Sequence, residues 1–260
     1  MVTISIITVT FNSIESVSDT IDSVTHQSYP WIEYIIIDGA STDGTIDVIK
    51  SYGDKISKFI SEPDQGIYDA INKGIRLASG DIIGILNSDD HFTQNDVLEK
   101  IAAEFKDPNC QAVIADARFI DPANLSKIVR YYSSENFRPE KFKYGFMPAH
   151  PGFYARRELF EKFGYYKTDY KIAADYELLI RFLYVHKVKF RYLKVPVVDM
   201  RTGGVSNKTL YSRYLLNKEI VRACRENGIK TNYLLIYPKY FIKIFEFMGL
   251  NKSRHKSESH

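Results

Sequence analysis

The stretch Gly80-Asp81-Ile82-Ile83-Gly84-Ile85-Leu86-Asn87-Ser88-Asp89-Asp90-His91 constrains the fold more than any other part of the chain. A short apolar run bounded by polar turn residues is the pattern of a strand buried on both faces. The run stops abruptly in carboxylates, so these stand just past the strand's C-terminal end. In open α/β sheets that edge is where ligands bind. Adjacent carboxylates repel each other unless something positive lies between them and the ligand. A hard divalent cation shared with substrate phosphates meets that need, since Mg²⁺ is usually held by one or two protein carboxylates plus phosphate oxygens. The same residues also fit a solvated turn in which Asp90 or Thr93 caps a helix starting near Asn95.

Three such polar clusters fall at corresponding places. Residues 3–9 read as a buried strand, and Thr10-Phe11-Asn12 leads into a helix whose Ile14, Val17, Ile21 and Val24 recur at helical spacing. Asn12 and Glu15 stand at the separation of a capping box. Glu33 to Asp38 is a second apolar strand ending in a carboxylate; the turn-and-cap cluster Gly39 to Thr45 and a helix from Ile46 follow. Lys58 to Ser61 is a short third strand, Glu62 to Gly66 a Pro- and Gly-punctuated loop, and Ile67 to Ser79 a helix. Strands alternating with helices imply βαβ units and a mainly parallel sheet. The clusters around Asn12, Asp38 and Asp89 then share one sheet edge. No G-x-G-x-x-G follows the first strand and no P-loop is present, which excludes a dehydrogenase fingerprint and a Walker-type nucleotide site.

Beyond a helix at about 94–106 the pattern changes. Gln111–Asp116 and Lys127–Tyr132 read as strands around an Asp121-Pro122 turn, residues 156–163 and those from Ala173 as helices, and Val188–Met200 as a long strand. Leu210–Asn227 reads as a helix stopped by Gly228. Charge is uneven: residues 206–260 hold eleven Lys/Arg against four Asp/Glu, a surplus of +7 in a chain of net +3, leaving −4 for residues 1–205. Such a tail suits an anionic surface, and the aromatic content of residues 233–249 favours a membrane over nucleic acid. Cys110 and Cys224 match no metal or redox spacing. Met1-Val2-Thr3 runs straight into a strand pattern with no visible signal peptide, and no apolar segment is long enough to span a bilayer, so a cytoplasmic protein, peripheral on the inner face of the membrane, is expected.

Several motifs, in order, resemble the family 2 glycosyltransferases with a GT-A fold: Ser5 to Asn12, Ile37 to Thr45, Asp64 to Gly74, Asn87-Ser88-Asp89-Asp90 and Ala174-Asp175-Tyr176-Glu177. The resemblance covers about residues 3–206. It implies a Rossmann-like α/β catalytic domain over 1–206, with a nucleotide-sugar half to about 116 and an acceptor half over about 117–206. A helical, basic-aromatic extension over 207–260 completes the chain. It also implies roles. Thr8, Thr10, Asn12, Asp64, Lys73 and Ser88 would serve the donor nucleotide, and Asp38 would accept a hydrogen bond from uracil. Asn87-Ser88-Asp89 falls on the family's D-x-D motif with Asn at its first position, leaving Asp89 as the ligand for Mn²⁺ or Mg²⁺ and Asn87 for ribose or water. Asp175 falls on the catalytic base of inverting members, with Glu177 as its substitute.

The implied activity is transfer of a hexose or N-acetylhexosamine from a UDP-sugar to a glycan or lipid-linked acceptor, such as an undecaprenyl diphosphate carrier in O-antigen or capsule assembly. A leaving diphosphate needs positive charge and an acceptor hydroxyl needs a carboxylate to take its proton. Plainer roles stand beside these: Asp38 as cap of the turn at Ser41, Asp175 as helix cap, Lys73 as a helix-surface ion pair, and Arg201 with Gly203-Gly204 as a surface turn rather than a lid. A non-catalytic sugar-nucleotide scaffold of the same fold stays open beside the enzyme, as does a nucleotidyltransferase.

Overall fold

The alternation of apolar strands with amphipathic helices builds one mixed sheet. The computed structural model describes residues 1–203 and 210–238. Its first half runs β1 (Ile4–Thr10), α1 (Val17–Thr25), β2 (Ile32–Asp38), α2 (Thr45–Ser51), β3 (Lys58–Ser61), α3 (Ile67–Leu77) and β4 (Ile82–Ile85). β5 (Asp90–Phe92), α4 (Val97–Glu104), β6 (Ala112–Asp121), β7 (Asn124–Tyr132), β8 (Phe153–Arg156) and α5 (Arg157–Phe163) follow. Then come α6 (Ala174–Leu179) with a π-helical turn Ile180–Val185, β9 (Phe190–Arg201), α7 (Leu210–Glu226) and α8 (Tyr233–Ile236).

The sheet order is β3-β2-β1-β4-β8-β6-β9-β5, with β7 paired to β6. β3, β2, β1 and β4 are parallel, as the βαβ pattern predicts, and the register pairs Thr10 with Asp38 and Asp38 with Ser61. The polar clusters at these strand ends therefore do share one edge. β8 then runs antiparallel to both β4 and β6. Strand pleating sends alternate residues of β1 to opposite faces. Ile7 and Val9 join a core with α3, α5, α6 and α7, while Ile4 and Ile6 join one with α1, α2 and α4. Val221, Ala223, Cys224 and Ile236 belong to the first of these cores, so α7 and α8 are packed onto the same body.

Where the parallel strands begin, one carboxylate ties them together. Glu33 accepts from Ser5 Oγ at 2.6 Å, Lys58 Nζ at 2.7 Å, Ser79 N and Oγ at 2.7 Å each, and Gly80 N at 3.2 Å. Burial alone would raise its pKa; the Lys58 ammonium and the serine donors outweigh that and hold it at about 2.

Two local expectations fail. Asn12 does not cap α1: its backbone is left-handed, with φ 48°, and its Oδ1 accepts from Thr42 N at 2.9 Å, leaving α1 to start at Ser16 without a side-chain cap. Asp90 does not cap a helix either. It begins β5, which pairs antiparallel with β9, Asp90 opposite Met200 and His91 opposite Asp199.

Candidate active site

The floor of the site is the C-terminal edge of β1, β2 and β4. Backbone geometry there is unusual: Asn12 and Ala40 both occupy the left-handed region, at φ 48° and 62°. For residues with a Cβ that conformation costs about 1–2 kcal/mol and needs support from its surroundings. The support is a lattice of cross-loop bonds. Asn12 N donates to Ser41 Oγ at 2.7 Å, Ser13 N to Thr45 Oγ1 at 2.8 Å, and Ser13 and Ser88 share a hydroxyl bond of 2.9 Å. Ser16 Oγ donates to the Ser88 carbonyl at 2.8 Å. The turns after β1, β2 and β4 are thus one connected surface, and Asn12 and Ser88 act as its joints.

Not every residue expected to meet a nucleotide faces outward. Thr8 is fully buried and its hydroxyl bonds Tyr34 Oη at 3.1 Å, so it braces the floor from below. Thr10 is buried, and its hydroxyl is one of three buried side-chain polar atoms without a partner among the described residues. Asp38 is fully buried, and its carboxylate accepts from Ser41 N at 2.9 Å, Ser41 Oγ at 2.5 Å and Ser61 Oγ at 2.7 Å. It caps the turn, the plainer of its two readings. Asp64 accepts from Gly66 N at 2.7 Å and presses on Gly39, where an added Cβ would lie 2.6 Å from Asp64 Oδ2. Lys73 is also committed, to Glu62 at 2.9 Å, the Pro63 carbonyl at 3.1 Å and Asp69 at 3.5 Å. It fastens the loop before α3.

The acidic stretch divides into two unlike carboxylates. Asp89 is exposed and makes no bond to any described residue. Asp90, next to it, is buried, bonded by Asn87 Nδ2 at 3.4 Å, and pushed well above the usual aspartate pKa by its burial and by the Asp89 charge. Around them lies a network not visible in the sequence. Arg118 grips Asp199 through two bonds of 2.6 and 2.5 Å, His91 Nε2 lies 3.8 Å from the same carboxylate, and Arg201 pairs with Asp19. His91 Nδ1 and Arg201 Nε are buried without partners. Among the described residues no group of three or more His, Cys, Asp or Glu side chains is placed to hold a metal ion. Gly203 lies at the end of the described segment, whereas Gly204 of the expected lid lies outside it.

On the other side stands Asp175, in the first turn of α6. One of its oxygens accepts from Tyr176 N at 2.7 Å, and the other lies 3.6 Å from His150 Nδ1. Burial pushes the Asp175 carboxyl up, with His150 and the Tyr176 amide opposing. Glu177 is no substitute for it: fully buried, it pairs with Arg181 at 2.9 Å and Lys167 at 3.1 Å and accepts from Asn227 Nδ2 at 3.3 Å. Tyr68, at the start of α3, donates to the Ile172 carbonyl at 2.5 Å and stacks on Tyr166 at 5.9 Å. The Asp175 segment is thereby tied to the edge that carries the other clusters.

Comparison with known proteins follows this geometry. A family profile described as glycosyl transferase family 2 matches residues 5–164, a span that holds the β1, β2 and β4 edge and His150 but ends before Asp175. The chain is 28% identical over 215 residues to a PGL/p-HBAD biosynthesis glycosyltransferase of Mycobacterium bovis (strain BCG / Pasteur 1173P2), covering 81% of this chain and 82% of that protein. Its fold is similar to S. aureus TarS 1–349 in complex with UDP-GlcNAc, with TM-score 0.67 and 16% identity over 88% of this chain and 68% of that one. It spans 40% of a longer TarS chain. A mannosyltransferase of Pyrobaculum calidifontis in complex with GDP-Man and Mn²⁺ is similar at TM-score 0.62 and 20% identity, over 86% of this chain and 64% of that one. The architecture is that of the GT-A glycosyltransferases.

Proposed function

The chain belongs to glycosyl transferase family 2, and from that premise we propose that it moves a hexose or N-acetylhexosamine from a UDP-sugar to a sugar hydroxyl on a lipid-linked acceptor, with inversion. The observation that carries this reading is the contrast among the rim carboxylates. Asp38 and Glu177 are consumed by their own chain, whereas Asp89 is free of described partners and Asp175 keeps one oxygen turned to His150. A carboxylate with an unshared oxygen and a raised pKa is suited to take a proton.

In the proposed step the acceptor oxygen forms the new bond to the anomeric carbon as the bond from that carbon to the β-phosphate oxygen breaks. The acceptor proton passes to Asp175 and the electron pair leaves on UDP. Asp89 would hold Mn²⁺ or Mg²⁺ together with the phosphates, with Asn87 left to ribose or water; the cation's part is to offset the charge of the departing diphosphate. UDP is favoured among nucleotides because the TarS fold neighbour carries UDP-GlcNAc. Thr10, whose buried hydroxyl has no partner among the described residues, supplies a donor or acceptor to the nucleotide.

A lipid-linked acceptor calls for a membrane face. No helix of the described residues is long and apolar enough to cross a bilayer. Tyr211, Tyr214 and Leu234 are exposed on α7 and α8 beside Arg213, Lys218 and Lys230, which supports peripheral attachment through aromatics and basic heads. Most of the basic-aromatic segment 233–249, from residue 239 on, lies outside the described residues. Co-sedimentation with anionic but not zwitterionic vesicles tests this part, and equal recovery with both refutes it.

The test of the donor site is a thermal shift series with UDP, GDP, CMP and dTDP, each with and without Mn²⁺. A ligand that binds only the native state raises the melting temperature. UDP with Mn²⁺ gives the largest rise, and Asp89→Ala removes the Mn²⁺-dependent part without lowering the melting temperature of the free protein. A rise that Asp89→Ala leaves intact would show that the metal is held elsewhere.

A further inference from the structure

Glu219 lies in the middle of α7, 44 residues beyond Asp175 and outside the segment that the family profile matches. It is buried, and among the described residues its carboxylate bonds the backbone just ahead of Asp175. Oε1 accepts from Lys171 N at 2.8 Å; Oε2 accepts from Ile172 N and Ala173 N, both at 2.9 Å. Three successive amides converge on one side chain, and Ala173 is the residue that precedes α6. From the opposite side Tyr68 donates to the Ile172 carbonyl at 2.5 Å. The peptide unit that launches the Asp175 helix is therefore held at both its N–H and its C=O, by α7 and by α3.

We infer that Glu219 is the positioning residue for the base: α7 reaches into the catalytic half through this carboxylate and sets where Asp175 stands. The inference rests on the assignment of Asp175 as base. Charge-assisted bonds from carboxylate to backbone N–H are roughly twice as strong as neutral ones. Loss of three of them frees the loop that sets the approach of Asp175 to its acceptor, and a misplacement of about 1 Å can cost about a hundredfold in rate. Glu219 also bears on protonation. The groups that face Asp175 are His150 from the turn before β8, Tyr68 from α3, Tyr166 from the loop after α5, and Glu219 from α7. Burial does most to raise the Asp175 carboxyl, and the Glu219 charge adds to it.

The experiment compares wild type, Glu219→Gln, Glu219→Ala and Asp175→Asn in the full chain. It follows UDP release from UDP-glucose and UDP-N-acetylglucosamine with Mn²⁺ across pH, with UDP thermal shift and amide hydrogen exchange alongside. Glu219→Ala lowers kcat about 10- to 100-fold with little change in donor KM or in the UDP shift, and the amides of residues 171–173 exchange faster. Glu219→Gln keeps the shape but removes the charge. An amide cannot accept from all three N–H groups, so it gives a smaller loss, and its acid limb moves to lower pH because Asp175 ionises more readily. If Asp175→Asn removes turnover while both Glu219 variants keep wild-type kcat and the wild-type acid limb, Glu219 only stabilises the fold and the inference falls. If Asp175→Asn leaves UDP release untouched, or wild type releases none from either donor, the assignment of the base falls first and takes this inference with it. Should Glu219→Ala not fold, Glu219→Gln decides through kcat and the pH limb.

Discussion

Glu33, where the parallel strands begin, and Asp175, in the first turn of α6, are both carboxylates drawn out of water, and the chain treats them oppositely. Glu33 is surrounded by donors from three segments and is held at about 2, below the ordinary range. Asp175 has one amide of its own helix and a histidine at 3.6 Å, and is raised instead. The first arrangement makes the ionised form a fixed part of the structure. The second leaves an oxygen whose protonation can change during a reaction. A buried carboxylate is thus a fastening or a reagent according to how many of its lone pairs the chain itself fills.

The strongest way to break this contrast is Asp175→Asn. Losing a general base costs about 10² to 10⁴ in rate, read as UDP release at saturating donor, with the melting temperature unchanged or slightly higher. In wild type the acid limb reports Asp175: ionisation is required, and the raised pKa makes activity fall on acidification at a higher pH than an ordinary aspartate would dictate. Turnover that persists in Asp175→Asn with an unaltered limb would move the base to another group. At the opposite end Glu33→Ala leaves Ser5 Oγ, the Ser79 amide and the Lys58 ammonium without this shared acceptor, and should cost about 3 kcal/mol of stability, with kcat per folded molecule retained. Glu33 is lowered on folding, so its contribution is complete above the unfolded value of 4.5 and is lost as pH falls toward about 2. Denaturant midpoints of wild type and variant should therefore converge on acidification. Midpoints that stay parallel down to pH 2.5 would mean that the ionised form of Glu33 carries none of this stability.

The same distinction explains how far the sequence could be read. β1 to β4 were legible because an apolar run closed by turn residues is a local signal, and the shared edge followed from the parallel topology. The cap expected of Asn12 fails because its side chain goes to Thr42, about 30 residues away, and the bond from Ser61 to Asp38, across 23 residues, is equally hidden from any local pattern, whereas the cap of Asp38 on Ser41 is local and legible. β5 holds two polar residues and one Phe, and becomes a strand only by pairing with β9 over a hundred residues later. A motif singles out Asp175 as a candidate, but its approach to His150, its tie to Tyr68 and its backing by Glu219 exist only in three dimensions. Pattern identifies which acids stand at an edge; the number of donors that fold back onto each decides what it does.

Asp90 tests the rule at its smallest effect. It is buried like Glu33, yet its carboxylate is met only by Asn87 at 3.4 Å and, from β9, by the Arg201 amide and charge, beside the Asp89 charge, and burial outweighs them. With too few donors, the ionised form is a liability in the free protein. A group whose pKa rises on folding adds stability that is present below its unfolded value and lost as pH climbs through the folded one. Asp90→Asn, which keeps the shape and removes the charge, should then stabilise the free protein by about 1 kcal/mol at pH 8, with the gain shrinking toward pH 4. Chemical denaturation at the two pH values reads this directly. A variant that is destabilised at pH 8 would show that Asp90 is held ionised by the Arg201 side of the network, and would place it with Glu33 among the fastenings rather than beside the free carboxylate of Asp89.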